Sequence, residues 1–137
     1  MHSLVSVIIP SFNRADLLPR AIDSVLVQTY AEIECIVVDD GSTDKTNELI
    51  NSIEDDRLIY MRHESNKGAS AARNTGIKHS KGSLIAFLDD DDEWLPTKLE
   101  KQVPFLQSKD EKVGMVYCWM DYFDENQQLI EEHHPTL

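Results

Sequence analysis

Apolar and polar positions alternate along this chain in two rhythms. Ser6 to Pro10 reads Ser-Val-Ile-Ile-Pro, a short β-branched run closed by proline, which predicts a strand buried on both faces. From Leu17 to Gln28 the apolar residues Leu18, Ala21, Ile22, Val25 and Leu26 recur at helical spacing, and Pro19 fits a first turn, where its missing N–H costs nothing. The same alternation then repeats. Cys35 to Val38 predicts a second buried strand, followed by the turn Asp39-Asp40-Gly41-Ser42 and a helix from about Asp44 to Ile53 with Ser42 or Thr43 as its cap. Leu58 to Arg62 predicts a third strand, and after a polar loop a small-residue helix runs from Ala69 to about His79, with Gly82 marking its end. Ser83 to Leu88 predicts a fourth strand. A helix from about Pro96 to Gln107 follows, its last turns kinked or shortened by Pro104, and Val113 to about Trp119 predicts a fifth strand.

Apolar strands separated by amphipathic helices imply a mostly parallel sheet with helices on both faces, a doubly wound α/β class, because right-handed crossovers place helices above and below the sheet. Ligands of such sheets bind beyond the carboxyl ends of the strands, near the point where strand order reverses. Three polar clusters occupy strand ends: Ser11 to Arg14, Asp39 to Asp44, and Asp89 to Asp92. Far apart in sequence, they are expected to converge on one rim.

Composition narrows the possibilities. The chain has 137 residues, enough for one ordinary globular domain, and its formal net charge of −12 argues against nucleic acid and anionic membrane surfaces. An acidic protein can still hold a phosphorylated ligand through a bridging divalent cation. Cys35 and Cys118 both fall in apolar stretches outside any CxxC pattern, which predicts buried thiols. The N-terminal apolar run ends at Pro10, too short for a signal peptide or membrane span, so a cytoplasmic location is expected. His133 and His134 lie in a polar tail and are read as solvated rather than as a metal pair.

Three clusters carry candidate chemistry. Asp89, Asp90, Asp91 and Asp92 directly follow the apolar strand, and four adjacent carboxylates repel one another unless solvent or a cation relieves them. Mg2+ or Mn2+ suits such oxygen donors, whereas an acidic turn or a helix N-terminus is the plainer alternative. Asp39 and Asp40 precede a glycine that must turn sharply. They are either an ordinary capped turn or acceptors for base or ribose donors, and a carboxylate selects a base that presents an N–H, such as uracil. Arg73 stands in a helix start built from small residues, placed for a ligand phosphate or equally for a rim aspartate.

Together these residues resemble glycosyltransferase family 2 and its GT-A fold. The resemblance rests on Val5 to Pro10 with Asn13 and Arg14, on Val38 to Asp44, on Asn66 to Gly68 with Ala72 to Gly76, and on Phe87 to Asp92 with Trp94, Pro96 and Leu99. It implies an inverting transferase whose residues 1–120 bind a nucleoside diphosphate sugar, UDP-linked, for transfer to a saccharide or lipid-linked acceptor. By the resemblance Pro10 and Phe12 line the nucleobase pocket and the Asp39-Asp40 pair accepts from the base, with Asp40 preferred. Asp89 or Asp90 faces the ribose, Asp91 binds the Mg2+ or Mn2+ that bridges to the diphosphate, and Arg73 helps position that diphosphate.

Residues 121–137 are then the start of an acceptor-side segment or a tail. Asp121, Asp124, Glu131 and Glu132 lack the context of a general base, which is expected beyond Leu137. Apolar surface around Val116, Trp119 and Phe123 makes self-association an expectation, and attachment to a membrane would come through a part of the protein not present here. Three competing readings are weighed. A receiver-like phosphoacceptor domain places its acidic pair after the first strand, where this chain has Ser11 to Arg14. A phosphatase with an Asp-x-Asp nucleophile expects Thr or Val where Asp92 or Glu93 stands. A non-catalytic nucleotide-binding chain stays open.

Overall fold

The computed structural model describes residues 3–124 and 126–132. His133 and His134 lie outside the described residues. Packing divides the chain into two compact units, Met1–Glu100 and Lys101–Leu137.

The first unit contains four parallel strands, β1 (Val5–Ser11), β2 (Ile33–Asp39), β3 (Leu58–Arg62) and β4 (Leu84–Phe87), in the order β3-β2-β1-β4. Its helices are α1 (Leu18–Leu26), α2 (Thr46–Asn51) and α3 (Ala69–His79). Every residue of β1 and β2 is buried, as their continuous apolar runs require. Side chains alternate between the two faces of the sheet. On one face Ile36 and Val38 pack with Ala72 of α3, flanked by Ile59 and Met61. The opposite positions, Val7, Ile9, Cys35 and Val37, are equally buried, and α1 also packs on β1 and β2 through its stripe of Leu18, Ala21, Ile22 and Val25. Strand order runs from β1 outward to β3 and then returns past β1 to β4, so the topological switch point lies between β1 and β4. The fold class is α/β with a parallel sheet, as the periodicity predicts.

Local boundaries differ in instructive ways. Neither Ser42 nor Thr43 caps α2; Asp44 does the work, its Oδ1 accepting from the backbone N–H of Thr46 at 3.0 Å and from its hydroxyl at 2.6 Å. The chain leaves α3 at an extended Ser80, and the Gly82 N–H instead donates to Ser6 Oγ at 2.9 Å beneath β1. Cys35 is buried but Cys118 is exposed, contrary to expectation for the second thiol.

Helix α4 (Lys98–Gln107) begins in the first unit, and its C-terminal part belongs to the second. It runs through Pro104, so the proline does not end it. The strand expected at 113–119 is absent. Met115, Tyr117 and Trp119 are all more than half exposed, and an apolar run becomes a buried strand only where a sheet edge and a covering layer receive it. The second unit instead forms an antiparallel pair, β5 (Asp121–Phe123) and β6 (Leu129–Glu132), with a bulge between Tyr122 and Phe123.

Candidate functional site

The loop after β1 is tied to the loop after β2 by one asparagine. Asn13 adopts a positive φ of 54°, a conformation that asparagine takes up more readily than most non-glycine residues. Its side-chain Oδ1 accepts from the backbone N–H of Thr43 at 2.8 Å, and its own N–H donates to Ser42 Oγ at 2.9 Å. Asp44 reinforces the tie by accepting from the Ala15 N–H at 3.0 Å. Burial works to raise the Asp44 carboxyl's pKa, but the hydrogen bonds from Thr46 and Ala15 outweigh it, so the net shift is downward. Arg14, next in sequence to Asn13, faces the loop after β4, where its Nη1 lies 3.4 Å from Asp91 Oδ2.

The two carboxylates after β2 have different surroundings. Asp39 is fully buried: it accepts from the Ser42 N–H and the Tyr60 hydroxyl, both at 2.7 Å, with Arg62 Nε at 3.5 Å. Burial, and donation to Asp39, push the Tyr60 phenol's pKa well above its ordinary value. Asp40 reaches across to the loop before α3. It accepts from the backbone N–H of Gly68 at 2.6 Å, from that of Lys67 at 2.9 Å, and from His63 Nδ1 at 2.6 Å. Burial opposes ionisation of Asp40, yet these donors prevail and hold its pKa below the usual carboxylate range. Gly41, with φ at +83°, brings this turn so close to the α3 loop that a Cβ would lie 2.9 Å from the carbonyl carbon of Ser65. Only glycine fits there.

Beyond β4 the aspartates separate. Asp89 pairs with Arg73 of α3 at 2.5 Å, Asp91 with Arg14, and neither pair is buried. Asp90 is partly enclosed. Burial raises its pKa, and the Ser11 hydroxyl and the Arg14 charge only partly offset this. Asp92 is also raised, by burial first and then by the charges of Asp91, Asp89 and Asp90.

These loops enclose a cleft of about 410 Å³ at the switch point. Of the residues singled out from sequence, it brings together Pro10, Phe12, Asp40, Arg73, Asp89, Asp90 and Asp91. Asp39 is not in its wall; it braces the turn from behind. The wall also contains Ser11, Arg14 and Asn66, which carried no assigned role. Ser11 Oγ is buried in this wall beside Asp90. His63, directly after the β3 run, likewise carried no assigned role, and only the fold places it beside Asp40. A shallow hollow beside Lys45 and Glu48 contains none of the rim aspartates.

Among the described residues no three His, Cys, Asp or Glu side chains gather into a metal cage. The donor set nevertheless fits a hard divalent ion of the kind held by one or two carboxylates and completed by phosphate oxygens and water, since Asp89 and Asp91 present about half-exposed oxygens to the cleft.

Known proteins resemble this chain over most of its length. The chain is 43% identical over 127 residues to the UDP-Glc:alpha-D-GlcNAc-diphosphoundecaprenol beta-1,3-glucosyltransferase WfaP of Escherichia coli, covering 93% of this chain and 49% of the relative. It thus spans about half the length of that relative. Among solved structures it resembles S. aureus TarS 1-349 in complex with UDP-GlcNAc, with a TM-score of 0.71, 29% identity, and 76% of this chain and 31% of that one covered. It also resembles the mannosyltransferase PcManGT of Pyrobaculum calidifontis in complex with GDP-Man and Mn2+, with a TM-score of 0.63, 29% identity, and coverage of 69% and 29%. The model for glycosyl transferase family 2 matches residues 6–135, and the chain belongs to that family.

Proposed function

We propose that this chain is the donor-binding part of an inverting glycosyltransferase that holds a UDP-linked sugar with Mg2+ or Mn2+ and delivers it to a saccharide or lipid-linked acceptor. The carrying observation is the convergence of Asp40, Arg73 and Asp89 to Asp91 on one cleft at the switch point. The printed names of WfaP, TarS and PcManGT, with their UDP-Glc, UDP-GlcNAc, GDP-Man and Mn2+, support the ligand class.

In this reading Pro10 and Phe12 flank the nucleobase, Asp40 accepts its N–H, and Asp39 serves the pair by fixing the turn. Asp89 or Asp90 receives ribose hydroxyls. Asp91 would hold the metal, which when bound neutralises charge building on the departing diphosphate. Arg73 adds a guanidinium to the same diphosphate, exchanging its pairing with Asp89 for phosphate oxygens. Displacement at the anomeric carbon by an acceptor hydroxyl needs a general base, and none of Asp121, Asp124, Glu131 and Glu132 is assigned that role.

Residues 1–120 are taken as the donor-binding portion and 121–137 as acceptor-side. A cytoplasmic, membrane-peripheral location suits a lipid-linked acceptor; among the described residues no helix is long and apolar enough to cross a membrane. Self-association through exposed Trp119 and Phe123 belongs to the same proposal. The test is calorimetric titration with UDP, GDP, dTDP and CDP, each with Mn2+ and with EDTA. Metal-dependent binding that favours UDP is expected, and equal binding in EDTA would remove the metal from the proposal.

A further inference from the structure

Asp40 Oδ1, His63 and Thr75 form a continuous relay whose Thr75 end is only partly buried. His63 Nδ1 lies 2.6 Å from Asp40 Oδ1, and its Nε2 lies 2.9 Å from Thr75 Oγ1. Both Asp40 and His63 are at least nine-tenths buried. Because Asp40 is an acceptor-only carboxylate, His63 donates from Nδ1, and in the neutral ring Nε2 is then the acceptor for the Thr75 hydroxyl. A helical threonine ordinarily turns its hydroxyl back to its own helix, so aiming it at His63 fixes the orientation of the ring, whose tautomer Asp40 selects.

A carboxylate offers about four lone-pair sites. On Asp40, Oδ1 takes His63 Nδ1 and the Lys67 N–H, while Oδ2 takes the Gly68 N–H and a longer, shared contact from Lys67 at 3.0 Å. A ligand donor approaching from the cleft would take the direction on Oδ2 now held by that longer Lys67 branch, while the Lys67 N–H keeps its 2.9 Å bond to Oδ1. The terminal torsion of an aspartate is broad, so this direction is set by the hydrogen bonds alone. Two of the donors sit on the largely exposed loop before α3. His63 is different: it directly follows β3, and its backbone N–H donates to Asp39 O at 2.9 Å, extending the sheet.

We propose that His63, oriented by Thr75, is a positioning residue that holds the Asp40 carboxylate toward the cleft it lines and thereby sets the preference for a nucleobase carrying a ring N–H over one that does not. This rests on Asp40 contacting the base. Uracil donates from its ring N–H where cytosine presents an acceptor, so UDP and CDP are the probes. In Mn2+ the ratio of UDP to CDP affinity falls about tenfold in His63→Leu, the size of one hydrogen bond lost at a buried acceptor. It is retained in His63→Asn, whose amide can donate in place of Nδ1, and falls to a smaller extent in Thr75→Val, which keeps the imidazole and the packing. An equal loss for both nucleotides in His63→Leu and Thr75→Val, with the ratio unchanged, would make His63 a packing residue and overturn the proposal.

Failure of the base reading is distinguishable, because Asp40→Asn would then leave the ratio unchanged as well. The relay itself is read without nucleotide by the long-range 1H–15N spectrum of the His63 ring. An Nδ1–H tautomer in the unsubstituted protein, whose Nε2 resonance shifts in Thr75→Val, supports the arrangement, and an Nε2–H tautomer in the unsubstituted protein overturns it.

Discussion

Gly76 of α3 lies against Ile8 of β1 so closely that a Cβ at Gly76 would stand 2.5 Å from Ile8 Cγ2. The helix that carries Arg73 therefore rests directly on the central strand. Gly76→Ala gains about 1 kcal/mol of helix propensity, but Ile8 is fully buried and branched at Cβ, so it cannot swing aside. Overpacking of about 1–3 kcal/mol should prevail. Urea denaturation is expected to show net destabilisation of Gly76→Ala, partly relieved by adding Ile8→Val; a more stable Gly76→Ala protein would disprove the contact.

Acid should act on this protein in two stages. Asp90 and Asp92 titrate above the ordinary carboxylate value of 3.8, so the folded state binds protons there before the unfolded chain does, and stability rises as pH falls through that window. Asp40 and Asp44 titrate below 3.8, so the stability they contribute is present above that value and is lost as pH falls through it toward their lowered folded values. Denaturation midpoints measured across pH should pass through a mildly acidic maximum. Asp40→Asn should reduce stability at neutral pH by about 1–3 kcal/mol and shrink the acid loss, because its donors lose a charged acceptor.

Asp91 and Asp92 are neighbours in sequence but not in role. Only Asp91 lines the cleft, whereas Asp92 N–H turns back to Asp89 O at 3.1 Å. Asp91→Asn is therefore expected to weaken Mn2+-dependent UDP binding about tenfold or more, and Asp92→Asn by less than about threefold. Calorimetry in Mn2+ and in EDTA decides it, and the reverse order would shift the metal ligand by one residue.

The two cysteines should also part company. Burial pushes the Cys35 thiol up to about 12, helped by the nearby Asp55 charge, so it holds almost no thiolate at neutral pH. Cys118 is exposed. Iodoacetamide should label Cys118 alone in the native protein and both residues in denaturant, as read by mass spectrometry of the peptides.

The parts of the fold that were legible are those where one pattern has one outcome. Val5 to Pro10 and Cys35 to Val38 are apolar without interruption, and a sheet covered on both faces is where such runs settle. Val113 to Trp119 is also largely apolar, but Gly114 interrupts it and its side chains lie mostly exposed with no layer over them, so local propensity misled. The rim carboxylates were legible because repulsion among adjacent charges calls for an explanation. His63 and Ser11 were not, since a lone histidine or serine signals nothing until tertiary structure places it beside Asp40 or within the cleft wall. The division of labour in Asp39-Asp40 was equally hidden, because two identical side chains differ only in which neighbours the turn turns them toward.

The strand order β3-β2-β1-β4 has a consequence for the growing polypeptide. Strands β1, β2 and β3 can pair in the order they are made, with the Asp39 and Asp40 turns and His63 already in place. The position beside β1, where β4 pairs from Val5↔Leu84 to Ile8↔Phe87, must wait until nearly 80 further residues have been added. During that interval the ribosome-bound chain exposes the flank of a strand that is buried throughout in the finished fold, the kind of edge on which aggregation and chaperone capture act. Asp89, Asp90 and Asp91 arrive with β4, so the same late pairing that closes this edge also completes the cleft. A nascent chain stalled before residue 84 should hold neither metal nor nucleotide there.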